Sequence, residues 1–300
     1  MSKIYNIKTI SEAHKLLGLE KPLHPLISVF RHTPEMNLNI QNVSITFGMY
    51  LISLKNDIKG AIDYGRNSYD FVEGTLLFLA PNQVVKVTGN PIIDLNGWSI
   101  FFHPDLIRKS ELGKSIQQYT FFDYDVNEAL HLSHIERIAL TEIVYSIEQE
   151  LKQNLDRHSQ ELIIHNLESI LKYSNRYYDR QFLTRTNFSK DYITRFEHYL
   201  KNYFASNQPI EKGIPSVSKC GESMNMSGHY LSDLLKSETG KSAKEHIYLQ
   251  LIDRAKSILL SSQNTISEVA YSLGFDYPQH FSKIFKEKVG LSPTEYRNLN

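Results

Sequence analysis

Three groups of side chains in this sequence could do chemistry: twelve histidines, one cysteine, and two polar sets that recur late in the chain. Histidines act on a metal when several converge with a carboxylate on one centre. In the first half His24, His32 and His103 are scattered, and no His-x-His with a nearby Glu lies between Thr46 and Gln83. A metal-dependent dioxygenase or isomerase is therefore not expected, and no metal or other cofactor is assigned. His103-Pro104-Asp105 closes a predicted strand and reads as a turn. Cys220 has no second cysteine with which to form an internal disulfide, and its position reads as a small, buried packing residue. No Gly-x-Ser-x-Gly, phosphate-binding glycine loop or dinucleotide fingerprint is present. The expectation is a protein that is not an enzyme.

The polar sets belong to an internal repeat with an offset of 50 residues. Cys220 pairs with Ala270, Leu231 with Phe281, Ser232 with Ser282, and Leu234 with Ile284. The match continues through Leu235 and Phe285, Lys236 and Lys286, Gly240 and Gly290, and Ser242 and Ser292. Each copy predicts a first helix with a small residue, a turn, and a second helix with apolar residues at i, i+3 and i+4. Helix–turn–helix units need a small residue where the two helices cross closely. Gly240 and Gly290 suit the left-handed residue that ends the second helix, and Pro293 suits the start of one more. Between the copies, Ser242–Leu260 predicts an amphipathic helix of 19 residues. Its length of ~28 Å approaches one turn of DNA, ~34 Å, so it could set two second helices in successive major grooves. The polar face left on the second helices holds His229, Ser232, Asp233 and Lys236, then Gln279, Ser282, Lys283 and Lys286, flanked by His280. Gln can pair two atoms of adenine and Lys can donate to guanine.

The runs SGHYLSDLLKSETGKSAKEHI and ISEVAYSLGFDYPQHFSKIFKEKVGLSPTEYR resemble the DNA-binding domain of the AraC/XylS family of transcriptional regulators. The signature residues are Gly274, Phe275, Phe281, Phe285, Lys286, Gly290, Ser292, Pro293, Tyr296 and Arg297. The resemblance covers about residues 190–300. It implies that His229, Ser232, Asp233, Pro278, Gln279, Ser282 and Lys283 stand at base-reading positions. Two of these depart from the family. Asp233 puts a carboxylate where a basic or amide group is common, which favours accepting from cytosine over added affinity. Pro278 lacks a backbone donor but fits a first helical turn.

The remaining sequence must supply the rest of the regulator that this resemblance implies. From Leu38 to Phe102 come short β-rich runs, VSITFGMYLISL, GTLLFLAP, VVKVTG and WSIFF, separated by Gly, Asn, Asp and Pro. They predict a sandwich or barrel, similar in architecture to the cupin-like effector domains of such regulators. Ile10–Leu19 predicts a short helix, and Glu128–Leu155 and Ser159–Tyr173 predict two longer ones that either cover the sheet or pair with a second subunit. Residues 172–190 read as a basic connector without a period. Helix then runs to the end, broken at Gln208–Pro215 and at three glycines. The fold class is therefore α+β in two domains, a β-rich sensing or dimerising domain over 1–180 and an all-α DNA-binding domain over 181–300. Tyr50, Tyr64, Phe78, Trp98 and Phe102 are the candidates to line an effector pocket inside the barrel.

Charge and composition limit this reading. Over the whole chain 33 basic residues balance 33 acidic ones, and residues 191–300 hold 13 against 12. A nucleic-acid footprint must therefore be local, with backbone amides assisting. Hydrophobic residues at 41% and charged residues at 22% are a globular mixture rather than a disordered one. No signal-peptide core and no apolar run near ~18 residues appears, so a cytoplasmic protein with no membrane contact is expected. The expected partners are double-stranded DNA, a second copy of the chain, RNA polymerase and a small-molecule effector of unknown identity. The alternative is a cupin-type metabolite-binding enzyme with an accessory helical domain.

Overall fold

The computed structural model describes residues 4–33, 36, 43–55, 74–87, 97–125, 128–153, 156, 158–184 and 186–298. The chain divides into two compact units, Met1–Gln181 and Phe182–Asn300, and the division falls inside a helix, Ser159–Thr184. The first unit mixes strands and helices, and the second is helical.

In the first unit the strands are β1 (Ile4–Ile7), β2 (Ile27–Arg31), β3 (Val43–Phe47), β4 (Tyr50–Lys55), β5 (Thr75–Leu79), β6 (Val84–Val87), β7 (Trp98–Phe102) and β8 (Leu130–His131). Five of them form an antiparallel sheet in the order β2-β7-β4-β5-β8, and three form a second sheet, β1-β3-β6. Helix α1 (Ile10–Leu17) follows β1, and the short helices α2 (Pro104–Ile107) and α3 (Glu111–Ser115) follow β7. The long helices α4 (His134–Lys152) and α5 (Ser159–Thr184) close the unit.

All five residues of β7 are buried, Ser99 included, so the strand is covered on both faces. Phe101 packs with Ile7, Ile10, Ile45, Phe47 and Met49 in the core shared with β1, β3 and α1. Trp98, Ile100 and Phe102 alternate to the opposite face, beside their cross-strand partners Leu54, Ile52 and Tyr50. Helices cover that face. The Trp98 Nε1 donates to Thr141 Oγ1 of α4 at 3.1 Å, and Arg31 of β2 pairs with Glu148 of α4 at 2.9 Å. Phe78, in register with Ile52, packs against Phe121, Phe122 and Tyr178.

Several sequence expectations are corrected by this arrangement. The run VSITFGMYLISL is two strands divided at Gly48-Met49, and β2 lies upstream of the predicted strand region. Leu130–His131 is a strand at the sheet edge, so α4 starts at His134, capped by Ser133, rather than at Glu128. The buried face of α4 carries Leu140, Val144, Ile147 and Leu151, whereas Ile135 and Ile138 are exposed. The connector is helical: α5 runs to Thr184 and α6 begins at Thr186. Its period is hidden because Ser174 and Gln181 occupy buried positions in step with Tyr177, Tyr178 and Phe182. Gln181 is fully engaged there, accepting from the His131 amide at 2.8 Å and donating to the Ala129 carbonyl at 3.3 Å.

The second unit contains α6 (Thr186–Ala205), α7 (Gln208–Lys212), α8 (Val217–Met224), α9 (Gly228–Thr239), α10 (Ala243–Ser261), α11 (Ile266–Ser272), α12 (Pro278–Val289) and α13 (Pro293–Arg297). The predicted break at Gln208–Pro215 thus holds a short helix, α7. Phe196, Cys220, Leu231, Leu235, Leu251, Ala255, Ala270, Phe281 and Phe285 form its buried interior. No helix among the described residues is long and apolar enough to cross a membrane.

Candidate nucleic-acid interface

The repeat seen in sequence folds as two helix pairs, α8–α9 and α11–α12, and each second helix has 12 residues. Cys220 and Ala270 are both fully buried. In the first pair a methyl on Gly221 would lie 2.6 Å from the Met226 carbonyl and 2.7 Å from the Gly228 nitrogen. That crossing leaves no room for a side chain. Gly240 and Gly290 end α9 and α12 in the left-handed conformation, with φ of 72° and 85°. Their amides donate to the carbonyls of Lys236 and Lys286.

The two pairs differ at the turn. Three residues, 225–227, join α8 to α9, whereas five, 273–277, join α11 to α12. The left-handed residue is Asn225 in the first turn and Gly274 in the second. Ser227 caps α9 by accepting from the Tyr230 amide at 3.1 Å. Tyr277 holds the corresponding place before α12 and makes no side-chain cap, with Pro278 in the first turn.

The inward rows are Tyr230, Leu231, Leu234 and Leu235 on α9, and Phe281 and Phe285 on α12. On α9, His229 and Lys236 are exposed and Ser232 and Asp233 are half-buried. On α12, Gln279, His280, Lys283 and Lys286 are exposed and Pro278 and Ser282 are half-buried. His229, Asp233 and Lys236 fall at i, i+4 and i+7, and Gln279, Lys283 and Lys286 repeat that spacing. Each set therefore lines one face of its helix. The Ser232 hydroxyl accepts from the Ala243 amide at 3.3 Å, so it also ties α9 to the start of α10. The His280 ring meets Phe275 edge-on at 5.8 Å.

Helix α10, 19 residues long, separates the two pairs. Ser242 opens it with a reciprocal cap, its hydroxyl accepting from the Glu245 amide while Glu245 accepts from the Ser242 amide at 2.8 Å. The same device starts α11 with Thr265 and Glu268, and α13 with Ser292 and Glu295. These backbone donors hold the carboxyls of Glu245, Glu268 and Glu295 below the usual carboxylate range. Burial pushes the Cys220 thiol up to about 12, which leaves it protonated at neutral pH.

The other candidates resolve differently. His24 accepts from the Leu26 amide, His32 bonds to Ser99 at 2.8 Å, and His103 accepts from the Asp105 amide at the start of α2. Among the described residues no group of three or more His, Cys, Asp or Glu could hold a metal ion. Tyr64 lies outside the described residues. Tyr50, Phe78, Trp98 and Phe102 lie on the helix-covered face of the five-stranded sheet, not on the inner face where the sequence reading put them. Tyr50 stacks on Phe102 at 4.8 Å. What sequence reasoning missed is the polar content of the inner face. Ser28 bonds to His14 at 2.6 Å, Ser53 bonds to Ser99 at 2.8 Å, and the buried Thr75 hydroxyl has no partner among the described residues. Short strands with Ser or Thr on one face were the available signal.

Two helix–turn–helix units joined by a rigid helix define the class of the second unit. The helix-turn-helix domain family matches residues 220–299. The HTH-type transcriptional regulator YfiF of Bacillus subtilis is 27% identical over 148 residues, 49% of this chain and 44% of that protein. The xylose operon regulatory protein of Escherichia coli K12 is 28% identical over 103 residues, 34% of this chain and 24% of that one. The chain thus spans less than half the length of each of these two curated relatives. Among solved structures, the C-terminal domain of AraT, a response regulator from Geobacillus stearothermophilus, is 28% identical. The match covers 36% of this chain and 85% of that one, with a TM-score of 0.32. The second unit of this chain carries a helix–turn–helix domain of the AraC type.

Proposed function

We propose that the chain is a sequence-specific, DNA-binding transcriptional regulator of one component. The observation that carries this reading is the pair of matched polar faces on α9 and α12, two helices of equal length that precede and follow α10 in the chain. His229, Ser232, Asp233 and Lys236 would read one groove segment; Pro278, Gln279, His280, Ser282, Lys283 and Lys286 would read the next. The names of the relatives, all regulators, support the same reading. With a local charge of 13 basic against 12 acidic residues over 191–300, affinity has to come from placed contacts and from dimerisation. Exposed Ile135, Ile138 and Tyr145 on α4 support a second copy of the chain as the partner of the first unit. RNA polymerase would be the partner at the promoter.

The first unit, residues 1–180 of this reading, would bind a small-molecule effector. Support comes from the buried inner-face hydroxyl of Thr75, which has no partner among the described residues and suits a hydrogen-bonding ligand, with Tyr50, Phe78, Trp98 and Phe102 shaping the sheet from behind. An effector regulates only by binding one arrangement of the protein better than another. The deciding experiment is genome-wide mapping of bound DNA, followed by mobility shifts on recovered sites at several salt concentrations. Enrichment at promoters with salt-sensitive binding supports the reading. Stoichiometric metal in the purified protein, with no such binding, favours the enzyme alternative.

A further inference from the structure

Tyr277 is the most exposed large aromatic of the described second unit, 69% accessible, and its hydroxyl meets no partner among the described residues. It stands two residues before Gln279, the first member of the α12 polar row, and it occupies the place that Ser227 fills before α9. Ser227 caps α9 at 3.1 Å, whereas Tyr277 makes no side-chain cap and the His280 amide donates to the Tyr277 carbonyl at 3.0 Å instead. An exposed ring in a capping place is a poor choice for stability alone. Its neighbour Asp276 is an exposed carboxylate, so this corner cannot attract phosphate by net charge. A neutral donor can still bond phosphate oxygen, and tyrosine hydroxyls serve that role in DNA complexes.

We infer that Tyr277 is a backbone-contact residue of the interface, donating its hydroxyl to a DNA phosphate beside the groove that α12 enters. The inference rests on the DNA-binding reading and adds to it a contact without charge. A phosphate contact made by lysine releases counterions and steepens the salt dependence, but one made by a neutral hydroxyl does not.

The experiment uses the full chain and a fluorescein-labelled duplex of random sequence, about 30 base pairs, since the contact is to backbone. Affinity is measured across a salt series for the parent, Tyr277→Phe, Tyr277→Ser and Lys283→Ala. Tyr277→Phe is expected to weaken binding about three- to tenfold with an unchanged salt slope. Tyr277→Ser, whose short side chain cannot reach a phosphate from that place, is expected to weaken binding similarly, also with an unchanged salt slope. Lys283→Ala, at a position placed to read a base, should leave binding to this random duplex close to that of the parent. If Tyr277→Phe binds as the parent does while binding by the parent is salt-sensitive, the tyrosine contact is wrong and the DNA reading stands. If the parent shows no salt-sensitive binding at all, the DNA reading falls and takes this inference with it.

Discussion

Gly274 lies so close to Gly213 that a methyl on its α-carbon would sit 2.7 Å from the Gly213 carbonyl carbon and 2.8 Å from the Pro209 oxygen. Gly274 also has a φ of +87°, so the turn between α11 and α12 asks for glycine twice, once for conformation and once for space. Through this contact the end of α7 holds the longer of the two turns, and with it the start of α12.

Gly274→Ala is expected to destabilise the second unit by about 2–5 kcal/mol, summing left-handed strain and overpacking. Gly240, with φ of +72° and no described atom within 4 Å of its absent methyl, provides the comparison. Gly240→Ala should cost only about 1–2 kcal/mol. Urea unfolding followed by far-ultraviolet circular dichroism separates the two. Equal losses would show that backbone strain alone governs both sites.

Cys220 lies fully buried at the close crossing of α8 and α9, with its thiol pushed up to about 12. In the folded chain it should resist iodoacetamide at pH 8 and react promptly in urea, read by mass spectrometry. Cys220→Ala should be tolerated at a cost near 1 kcal/mol, since Ala270 fills the matching place, while Cys220→Leu should cost about 1–3 kcal/mol. Alkylation of the native protein as fast as of the unfolded one would refute the packing role.

The capping glutamates make the second unit sensitive to acid. Backbone amides of Ser242, Thr265 and Ser292 hold Glu245, Glu268 and Glu295 below their ordinary value of 4.5, with the neighbouring hydroxyls assisting. A depressed folded pKa gives stability that is complete above the unfolded value and is lost as pH falls through the folded one. Thermal midpoints should therefore drop as pH falls below 4.5. Replacing all three glutamates by glutamine should lower the midpoint at neutral pH and shrink that drop. An identical pH slope in parent and variant would rule the mechanism out.

The helical repeat was legible because its signals are local. Small residues at 220 and 270, apolar triplets at 231, 234, 235 and 281, 284, 285, and glycines at 240 and 290 each act within one pair of helices. The first unit was less legible because its structure depends on distant pairing. Nothing in Trp98-Ser99-Ile100-Phe101-Phe102 says which alternate faces the helices, since both faces are buried. Only the register with Tyr50 and Leu54, and the bond from Trp98 to Thr141, assign Trp98 and Phe102 to the helix side. The end of α5 was hidden for another reason: Ser174 and Gln181 hold core positions by hydrogen bonding, which hydrophobic periodicity does not register.

Lys283 gives the sharpest test of base reading. Its side chain is exposed on α12, one turn beyond Gln279 and one turn before Lys286, on the face opposite the buried Phe281 and Phe285. Placed in a major groove, its ammonium would donate to guanine O6 and N7. Lys283→Ala should cost about 1–3 kcal/mol on a recovered operator and relax preference at one base pair. Lys288, on the same helix but turned away from that row and close to Glu287 at 4.0 Å, is the control for simple charge. Lys288→Ala should lower affinity slightly and equally for operator and scrambled duplex, as a general loss of positive field would. Competition binding with single-base operator variants reads the difference. Should both lysine variants lose affinity uniformly across all sequences, α12 would contact DNA without reading it at this position.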